Sequence, residues 1–427
     1  MLIVLFSANK NFDFYINLPM PKLNKMWNKI KIIAIAVLIV LCACNDSETK
    51  LARKADKIHS SILTVDTHAD TPLDFFRQGF DIGVWNDFGC VDFPRMKAGG
   101  LDAIFFSYYT VQGPRNDTAY ANIYDYVYSL VNQTYEIVDK YSSMAEIALT
   151  ADDAYRIKKE GKSAIFIGIE NGYPIGQDIT RVKDLYDLGA RYITLSHGSN
   201  NDICDSSTDP LGAEHDGLSE FGKQVVKEMN RLGIIIDVAH ISDKSFYDVL
   251  AHSKAPIIAS HASIRALCNN LRNHSDEMLL ALKENGGVIQ ICTLTSYLIT
   301  NEENPDMLRE LAELRDKYGD PDAISEEDRN KLRDETRTIR QKYAKQATVS
   351  DVVDHIDYAV KIAGIDHVGI GTDFSGGSAN GCRDASEMKN ITIELLRRGY
   401  SKKEIEKIWG GNTMRVLRQV EQLAGRS

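Results

Sequence analysis

Side chains that can ligate metal ions recur at the ends of short apolar segments in this sequence. His68 and Asp70 stand in the stretch Val65 to Asp70, and five more close or follow later segments, namely Glu170, His197, His240, His261 and Asp373. Imidazole and carboxylate groups together suit zinc or a similar divalent ion. A carboxylate can bridge two such ions, and ions ~3.5–4 Å apart can hold a hydroxide that attacks a polarised carbonyl. The pattern therefore predicts a hydrolytic metal centre.

Each histidine also has a simpler interpretation, because a single His near a strand end is more often a hydrogen-bonded structural residue than a ligand. Four histidines in corresponding positions at four segment ends, together with the His68-x-Asp70 pair, favour the metal-centre hypothesis. Asp66 is a candidate for orienting a ligand, and a helix or turn cap is an equally good interpretation. The remaining histidines lack this placement and are interpreted as structural: His59, His215, His252, His274, His355 and His367.

The apolar segments that carry these side chains are rich in β-branched residues and do not alternate with polar ones. This pattern is typical of strands buried on both faces of a parallel sheet covered by helices. The stretches between them have helical spacing, as in Ser219 to Leu232, Asp276 to Lys283 and Asp351 to Ala363. Eight candidate strands alternating with helices predict a (β/α)8 TIM-type barrel rather than a doubly wound sheet, with all strand ends converging on one face. The candidate strands are Ile62 to Val65, Ala103 to Ser107, Ala164 to Ile169, Tyr192 to Leu195, Ile234 to Val238, Ile257 to Ser260, Val288 to Cys292 and Val368 to Ile370.

The first 44 residues have the pattern of a signal peptide rather than of a folded domain. The apolar run from Ile32 to Leu41 follows a basic stretch and is shorter than the roughly 20 residues that a spanning helix needs. The sequence from Leu41 to Cys44 resembles a bacterial lipobox, which predicts lipidation of Cys44; an ordinary cleaved signal with a chance cysteine is the alternative. Met26 would begin a complete signal by itself, so it is an alternative start to Met1. A lipoprotein anchored in a membrane and facing the periplasm or the cell exterior is expected.

The rest of the chain is predicted to be a single domain, residues 55–427, behind a polar tether at 45–54. The highly charged segment Asn301 to Gln346 predicts an exposed helical insertion between the seventh and eighth strands, with a lid or dimer contact as the alternative. Residues 386–424 predict C-terminal helices that pack on the barrel. The net charge of −10 leaves no basic footprint for nucleic acid. The cysteines outside the signal contain no CxxC pair, so no disulfide framework or cysteine zinc site is expected.

Taken together and in order, a set of short motifs resembles the membrane dipeptidase family (renal dipeptidase-like, peptidase family M19). The resemblance runs from about Ile62 to about Arg415 and includes Gly410-Gly411-Asn412 near its end. The motifs are VDTHADTP, GIENG, RYITLSHGSNN, DVAHIS, IIASHAS, LRN, ENGGVIQI and HVGIGTDF.

The resemblance implies a zinc-dependent dipeptidase with two zinc ions in a (β/α)8 barrel. It implies that His68 and Asp70 bind one zinc, that His240 and His261 bind the other, and that Glu170 bridges them. His197 would stabilise the tetrahedral intermediate, Arg272 would hold the terminal carboxylate of the substrate, and Asp373 would contact its free amino group and is a candidate for proton transfer. Tolerance of a C-terminal D-residue and dimerisation are further expectations of the resemblance.

The sequence departs from the family in one place, where an Asp-Phe-Asp-Gly motif is replaced by Asp373-Phe374-Ser375-Gly376. Asp373 is retained, so the departure concerns the preference for residues at the amino end of the substrate. Two alternatives to a dipeptidase stay open. One is another binuclear amidohydrolase, acting on an acylated amino acid or a cyclic amide, and the other is a surface lipoprotein that binds without catalysis.

Overall fold

The computed structural model describes residues 48–300, 304–319, 326–343, 345–374 and 377–425. Its strands are β1 (Val65–Ala69), β2 (Ala103–Tyr109), β3 (Ala145–Ile147), β4 (Ser163–Glu170), β5 (Ala190–Thr194), β6 (Ile235–Asp237), β7 (Ile258–Ala262), β8 (Val288–Ile291) and β9 (Val368–Ile370). They form one parallel sheet in the order β1-β2-β4-β5-β6-β7-β8-β9, and β3 pairs with β4 off this path. Just after β9, the backbone N–H of Asp373 donates to the carbonyl of His68 in β1 at 2.9 Å. The sheet is therefore a nearly closed barrel, and the predicted TIM-type fold is confirmed.

Helices connect the strands and cover the outside of the barrel. Where the sequence places Ser219 before an apolar-periodic stretch, the Ser219 side chain accepts from the Gly222 N–H and caps α6 (Glu220–Leu232). The other helices are α1 (48–59), α2 (Phe93–Gly99), α3 (Asp117–Lys140), α4 (Ala151–Lys159), α5 (Thr180–Asp187), α7 (Asp243–His252), α8 (Asp276–Asn285), α9 (Thr295–Leu298), α10 (Pro305–Tyr318), α11 (Glu326–Tyr343), α12 (Val349–Ala363), α13 (Lys389–Arg397), α14 (Lys402–Glu406) and α15 (Asn412–Leu423), with a π-helical turn at Lys407–Gly411.

The predicted position of the first strand is wrong. The sequence prediction ends this strand at Val65, whereas β1 begins there. The prediction looked for apolar residues and so left out the polar residues of β1. In the structure these residues are buried with hydrogen-bond partners, as where Thr67 Oγ1 donates to the Ser260 carbonyl at 2.7 Å. As a result His68 lies within the strand and not after it. The short strand β3 was not predicted, because three residues are too few to show a pattern.

Aromatic rings fill the barrel interior below the strand ends. Phe105 and Phe166 stack with ring centroids 4.5 Å apart, and Tyr192 lies 5.4 Å from Phe105. All three side chains are fully buried. Side chains alternate along a strand, so the residues two and four positions further on, Ser107 and Glu170 among them, point into the same interior nearer its open end. These packed rings lie directly beneath the polar groups at the strand ends and support them.

The predicted insertion between the last two strands of the barrel contains α10 and α11. Ion pairs join the two helices, with Lys317 Nζ 2.8 Å from Glu335 Oε2 and Lys342 Nζ 2.6 Å from Glu310 Oε1. Exposed pairs of this kind contribute little each, so the insertion is a charged helical pair rather than an extension of the core.

The described residues include no helix with the length and apolarity that crossing a bilayer requires. The apolar run from Ile32 to Leu41 and the lipobox with Cys44 lie outside the described residues. Their assignment as a lipoprotein signal stays a prediction.

Candidate metal centre

Glu170, the last residue of β4, is the centre of a buried cluster at the open end of the barrel. Its Oε1 lies 3.1 Å from His240 Nε2 and 3.5 Å from His261 Nε2, and its Oε2 lies 3.5 Å from His68 Nε2. Asp70 Oδ1 is 3.7 Å from the same His68 nitrogen. The two oxygens of one carboxylate therefore face two different groups of ligands. We call these five residues the Glu170 cluster.

Local irregularities of the backbone aim the histidines at Glu170. The pairing of β1 with β2 shifts between Asp66 and Ala69, and that of β7 with β8 shifts between Ala259 and Ala262. Such bulges re-aim a side chain relative to a regular strand, and they lie at His68 and His261.

The direction of the His240 side chain is set by an unusual backbone conformation. Its backbone has a positive φ of 71°, which non-glycine residues rarely adopt. The N–H of Ser207 in the loop after β5 donates to the His240 carbonyl at 2.8 Å and supports this conformation. Strain of this kind is concentrated at functional sites.

The position of His68 also depends on Gly168 in β4, which pairs with Tyr192 in β5. His68 Nδ1 lies 2.9 Å from the hydroxyl of Tyr192. A Cβ on Gly168 would lie 2.1 Å from the Tyr192 ring. Only glycine at this position leaves room for the tyrosine that orients His68.

The cluster is suited to binding divalent metal. Within the described chain, His68 Nε2 and Asp70 Oδ1 are buried and have no hydrogen-bond partner. His240 Nε2 and His261 Nε2 lie 2.9 Å apart beside the Glu170 carboxylate. Buried polar atoms without partners are costly, and a cation would satisfy all of them with imidazole and carboxylate ligands suited to zinc.

Electrostatics within the cluster also indicate a cation. Burial alone would raise the pKa of Glu170, but His68, His240 and His261 hold it well below its usual value. Burial and then the neighbouring Glu170 and Asp373 carboxylates raise the pKa of Asp70 well above its usual value. Burial opposes protonation of His68, yet Glu170 and Asp70 raise its pKa to about 10. These shifts favour a positive charge beside the carboxylates of Glu170 and Asp70, which a bound cation would supply in place of a proton.

His197 lies on the more open side of the cluster. Its Nε2 is 3.7 Å from Glu170 Oε1, and its side chain is 28% exposed. The centre of its ring lies 4.0 Å from that of His240 and 4.6 Å from that of Tyr109, the last residue of β2. Burial lowers the pKa of His197, so the imidazole is neutral near pH 7.

Arg272, in the loop between β7 and α8, and Asp373, just after β9, flank the cluster. Arg272 is only 6% exposed, donates from Nη2 to the His261 carbonyl at 3.4 Å, and lies 5.4 Å from the centre of the Tyr297 ring. Its Nε has no hydrogen-bond partner in the described part of the chain. Asp373 has a positive φ of 59° and groups with His68 and Asp70 within metal-ligand distance. Burial raises the pKa of the Asp373 carboxyl.

All seven metal-competent residues singled out in the sequence meet at this end of the barrel, together with Arg272. The Asp66 carboxylate accepts from the backbone N–H of His68 at 3.2 Å, and from the Thr372 N–H at 2.8 Å and the Thr372 hydroxyl at 2.6 Å, which ties β1 to the segment after β9. The groups of potential metal ligands in the described residues contain none of the six histidines interpreted as structural. Ser375 lies outside the described residues.

Several residues that complete the site were not predicted from the sequence, namely Ser107, Tyr109, Tyr192, Cys292 and Tyr297. Ser107 Oγ donates to Glu170 Oε2 at 3.1 Å, and Cys292 Sγ lies 4.0 Å from Asp373 Oδ2. Strand alternation is the signal that would have found some of them: Ser107 and Tyr109 are two apart on β2 and share one face.

Comparison with known proteins gives the site its context. A model of the membrane dipeptidase family (peptidase family M19) matches residues 52–427. Dipeptidase tcpJ of Claviceps purpurea (strain 20.1) is 34% identical over 343 residues, which cover 79% of this chain and 70% of that protein. Dipeptidase verJ of Clonostachys rogersoniana is 30% identical over 386 residues, 87% of each chain.

Solved structures agree in fold. The probable dipeptidase PvdM from Pseudomonas aeruginosa has a TM-score of 0.79 and 32% identity, covering 88% of this chain and 100% of that one. A metallo peptidase from Rhodobacter sphaeroides liganded with a phosphinate mimic of the dipeptide L-Ala-D-Ala has a TM-score of 0.68 at 22% identity, covering 84% and 99%, and shares the fold. Because the family match spans nearly all of the chain beyond its first 51 residues, the protein belongs to the membrane dipeptidase family, peptidase family M19, and is a metallo-dipeptidase.

Proposed function

We propose that this protein hydrolyses the peptide bond of free dipeptides with two zinc ions held by the Glu170 cluster. His68 and Asp70 would hold one ion, His240 and His261 the other, and Glu170 both. The observation that carries the proposal is the division of the Glu170 carboxylate, whose Oε2 faces His68 while Oε1 faces His240 and His261. When bound, such a pair of ions activates a water molecule and polarises a carbonyl oxygen.

Arg272 and Asp373 would select for dipeptides by binding both ends of the substrate. Arg272 lies beside His261 and Asp373 beside His68, so a cation and an anion border the cluster. A guanidinium can engage a carboxylate through two parallel hydrogen bonds, and Asp373 would accept hydrogen bonds from an ammonium. A dipeptide, with its two charged ends on either side of the scissile bond, would present both termini to this pair.

His197 would act on the carbonyl oxygen of the scissile bond. A neutral imidazole with Nε2 directed into the site can donate a hydrogen bond to the negative charge that develops on this oxygen. Its burial and its contacts with Tyr109 and His240 hold the ring in place. Asp373, beside His68 and Asp70, would carry the proton that the leaving amine requires.

Blocking the amino group of the substrate is expected to lower kcat/KM by about 30-fold or more, because the buried Asp373 carboxylate would lose its ionic partner. The measurement compares Ala-Ala, L-Ala-D-Ala and their N-acetylated forms on zinc-loaded protein. A chelator is expected to abolish hydrolysis of the free dipeptides, and added zinc to restore it.

The control for this experiment is Asp373→Asn, which should reduce the preference for a free amino group as well as the rate. Faster hydrolysis of acetylated than of free dipeptides would favour an amidohydrolase acting on acylated amino acids. Failure of the zinc-loaded protein to cleave any dipeptide would refute the proposed function.

We also propose that a lipid on Cys44 anchors the enzyme to a membrane and that the domain faces the periplasm or the cell exterior. The support is the apolar run from Ile32 to Leu41 followed by the lipobox-like Leu41 to Cys44. Incorporation of a labelled fatty acid in a bacterial host is expected to be lost in Cys44→Ala and kept in the matched variant Cys42→Ala. Equal labelling of both variants would contradict the assignment.

A further inference from the structure

A buried carboxylate that the proposed reaction does not use lies next to the Glu170 cluster. Asp237 ends β6, and its side chain is fully buried. Each of its oxygens accepts two hydrogen bonds. Oδ1 accepts from the N–H groups of Ala239 at 3.0 Å and Ser260 at 2.8 Å, and Oδ2 accepts from the hydroxyls of Ser260 at 2.6 Å and Thr194.

The single hydroxyl proton of Ser260 determines which neighbouring nitrogen must carry a proton. A serine hydroxyl has one proton, and here it is donated to Asp237 Oδ2, an acceptor in a carboxylate surrounded by four donors. Ser260 Oγ lies 2.9 Å from His261 Nδ1 and 3.5 Å from His68 Nδ1, so its lone pairs can only accept from these nitrogens. Since the oxygen has no further proton to give, the contact with His261 requires an N–H at Nδ1.

A proton on Nδ1 leaves the lone pair of a neutral His261 on Nε2. This nitrogen faces His240 Nε2 at 2.9 Å and Glu170 Oε1 at 3.5 Å, which is where a cation would be bound. The opposite tautomer would point an N–H at the cation. Ser260 and His261 are adjacent in sequence, and on a regular strand they would point to opposite faces. The bulge in β7 brings both to the same side.

We propose that Asp237 is a positioning residue that acts through the Ser260 hydroxyl to hold His261 in its metal-binding tautomer. We call Asp237, Ser260 and His261 the Asp237 relay. The Ser260 hydroxyl oxygen also lies 3.5 Å from His68 Nδ1, where the Tyr192 hydroxyl is the nearer partner at 2.9 Å. The inference rests on the proposed zinc binding.

Partners that orient a histidine ligand are worth roughly 10- to 100-fold in metal affinity. Asp237→Asn is therefore expected to weaken zinc binding 10- to 100-fold, because an amide must donate where the carboxylate accepts and would turn the Ser260 hydroxyl toward His261 Nδ1. Ser260→Ala, which removes the acceptor for the His261 N–H, is expected to weaken it similarly. Zinc affinity of the purified full-length chain is measured by competition with a chromophoric chelator.

The matched control is Thr194→Val, which removes one of the four hydrogen bonds to Asp237 and leaves the relay intact. Its zinc affinity should stay within about twofold of wild type, well below the loss expected for an orienting partner. Wild-type affinity in both Asp237→Asn and Ser260→Ala would overturn the relay, and so would an equal loss in all three variants, which would indicate general weakening of the core. If Asp237→Asn does not fold, Ser260→Ala against Thr194→Val gives the same decision. A wild-type protein that binds no zinc would refute the proposed function and the relay with it.

Discussion

Replacing Glu170 by glutamine is expected to lower both zinc content and dipeptide turnover, the latter by more than ~100-fold, since an orienting partner alone is worth 10- to 100-fold. Both carboxylate oxygens of Glu170 face imidazole nitrogens, at 3.1 and 3.5 Å from Oε1 and 3.5 Å from Oε2. Glutamine keeps the shape, removes the negative charge and turns an NH₂ group toward one set of ligands. Two measurements on one sample test these effects. Elemental mass spectrometry gives the zinc content per chain, and steady-state kinetics give kcat/KM for a dipeptide.

Ser107→Ala is the matched control for this substitution. It removes the hydroxyl that donates to Glu170 Oε2 at 3.1 Å and leaves the carboxylate in place. Zinc content and turnover should both fall far less than in Glu170→Gln, because the negative charge that faces both groups of ligands remains. Unchanged turnover in Glu170→Gln would refute the bridging role, whereas equal losses in both variants would show that packing rather than charge is measured.

Much of this site was predictable because a parallel barrel imposes a simple rule. The carboxyl ends of parallel strands meet on one face, so a ligand-type residue at the end of an apolar segment can be placed without knowing the rest of the structure. Glu170 at the end of β4 follows this rule directly. Residues about 200 positions apart, such as His68 and His261, were thus predicted to converge, and their rings lie 3.7 Å apart.

What the sequence could not predict is the geometry that aims these side chains. The bulges at His68 and His261 depend on register between neighbouring strands, and the positive φ of His240 depends on the loop that contains Ser207. None of these leaves a mark on local composition. The first strand was predicted at the wrong position for a related reason. Its polar side chains form hydrogen bonds to strands that are distant in sequence. Asp237 ends β6 as Glu170 ends β4, but its carboxylate is bound by Ala239, Ser260 and Thr194 rather than facing the cluster, and the sequence does not distinguish these two cases.

Arg272→Met is expected to remove the preference for a free carboxylate at the end of the substrate. Loss of one partner of a buried ion pair costs about 2–5 kcal/mol, so kcat/KM for a free dipeptide should fall by roughly 30-fold to several thousand-fold. The guanidinium is buried, its Nε has no partner among the described residues, and its Cζ lies 5.4 Å from the centre of the Tyr297 ring. Activity on a dipeptide amide, which has no carboxylate, should change little.

The decisive quantity is the ratio of kcat/KM for the free dipeptide to that for its amide, because it cancels losses of folded protein. Arg265→Met is the matched control: Arg265 lies in the same loop but pairs with Asp243, with Nη1 2.6 Å from Oδ2 and Nη2 2.7 Å from Oδ1. This variant should lose stability and keep the ratio of wild type. A ratio that survives in Arg272→Met would assign carboxylate recognition to another group. A ratio that collapses in both variants would mean that the loop, rather than the Arg272 side chain, sets the preference.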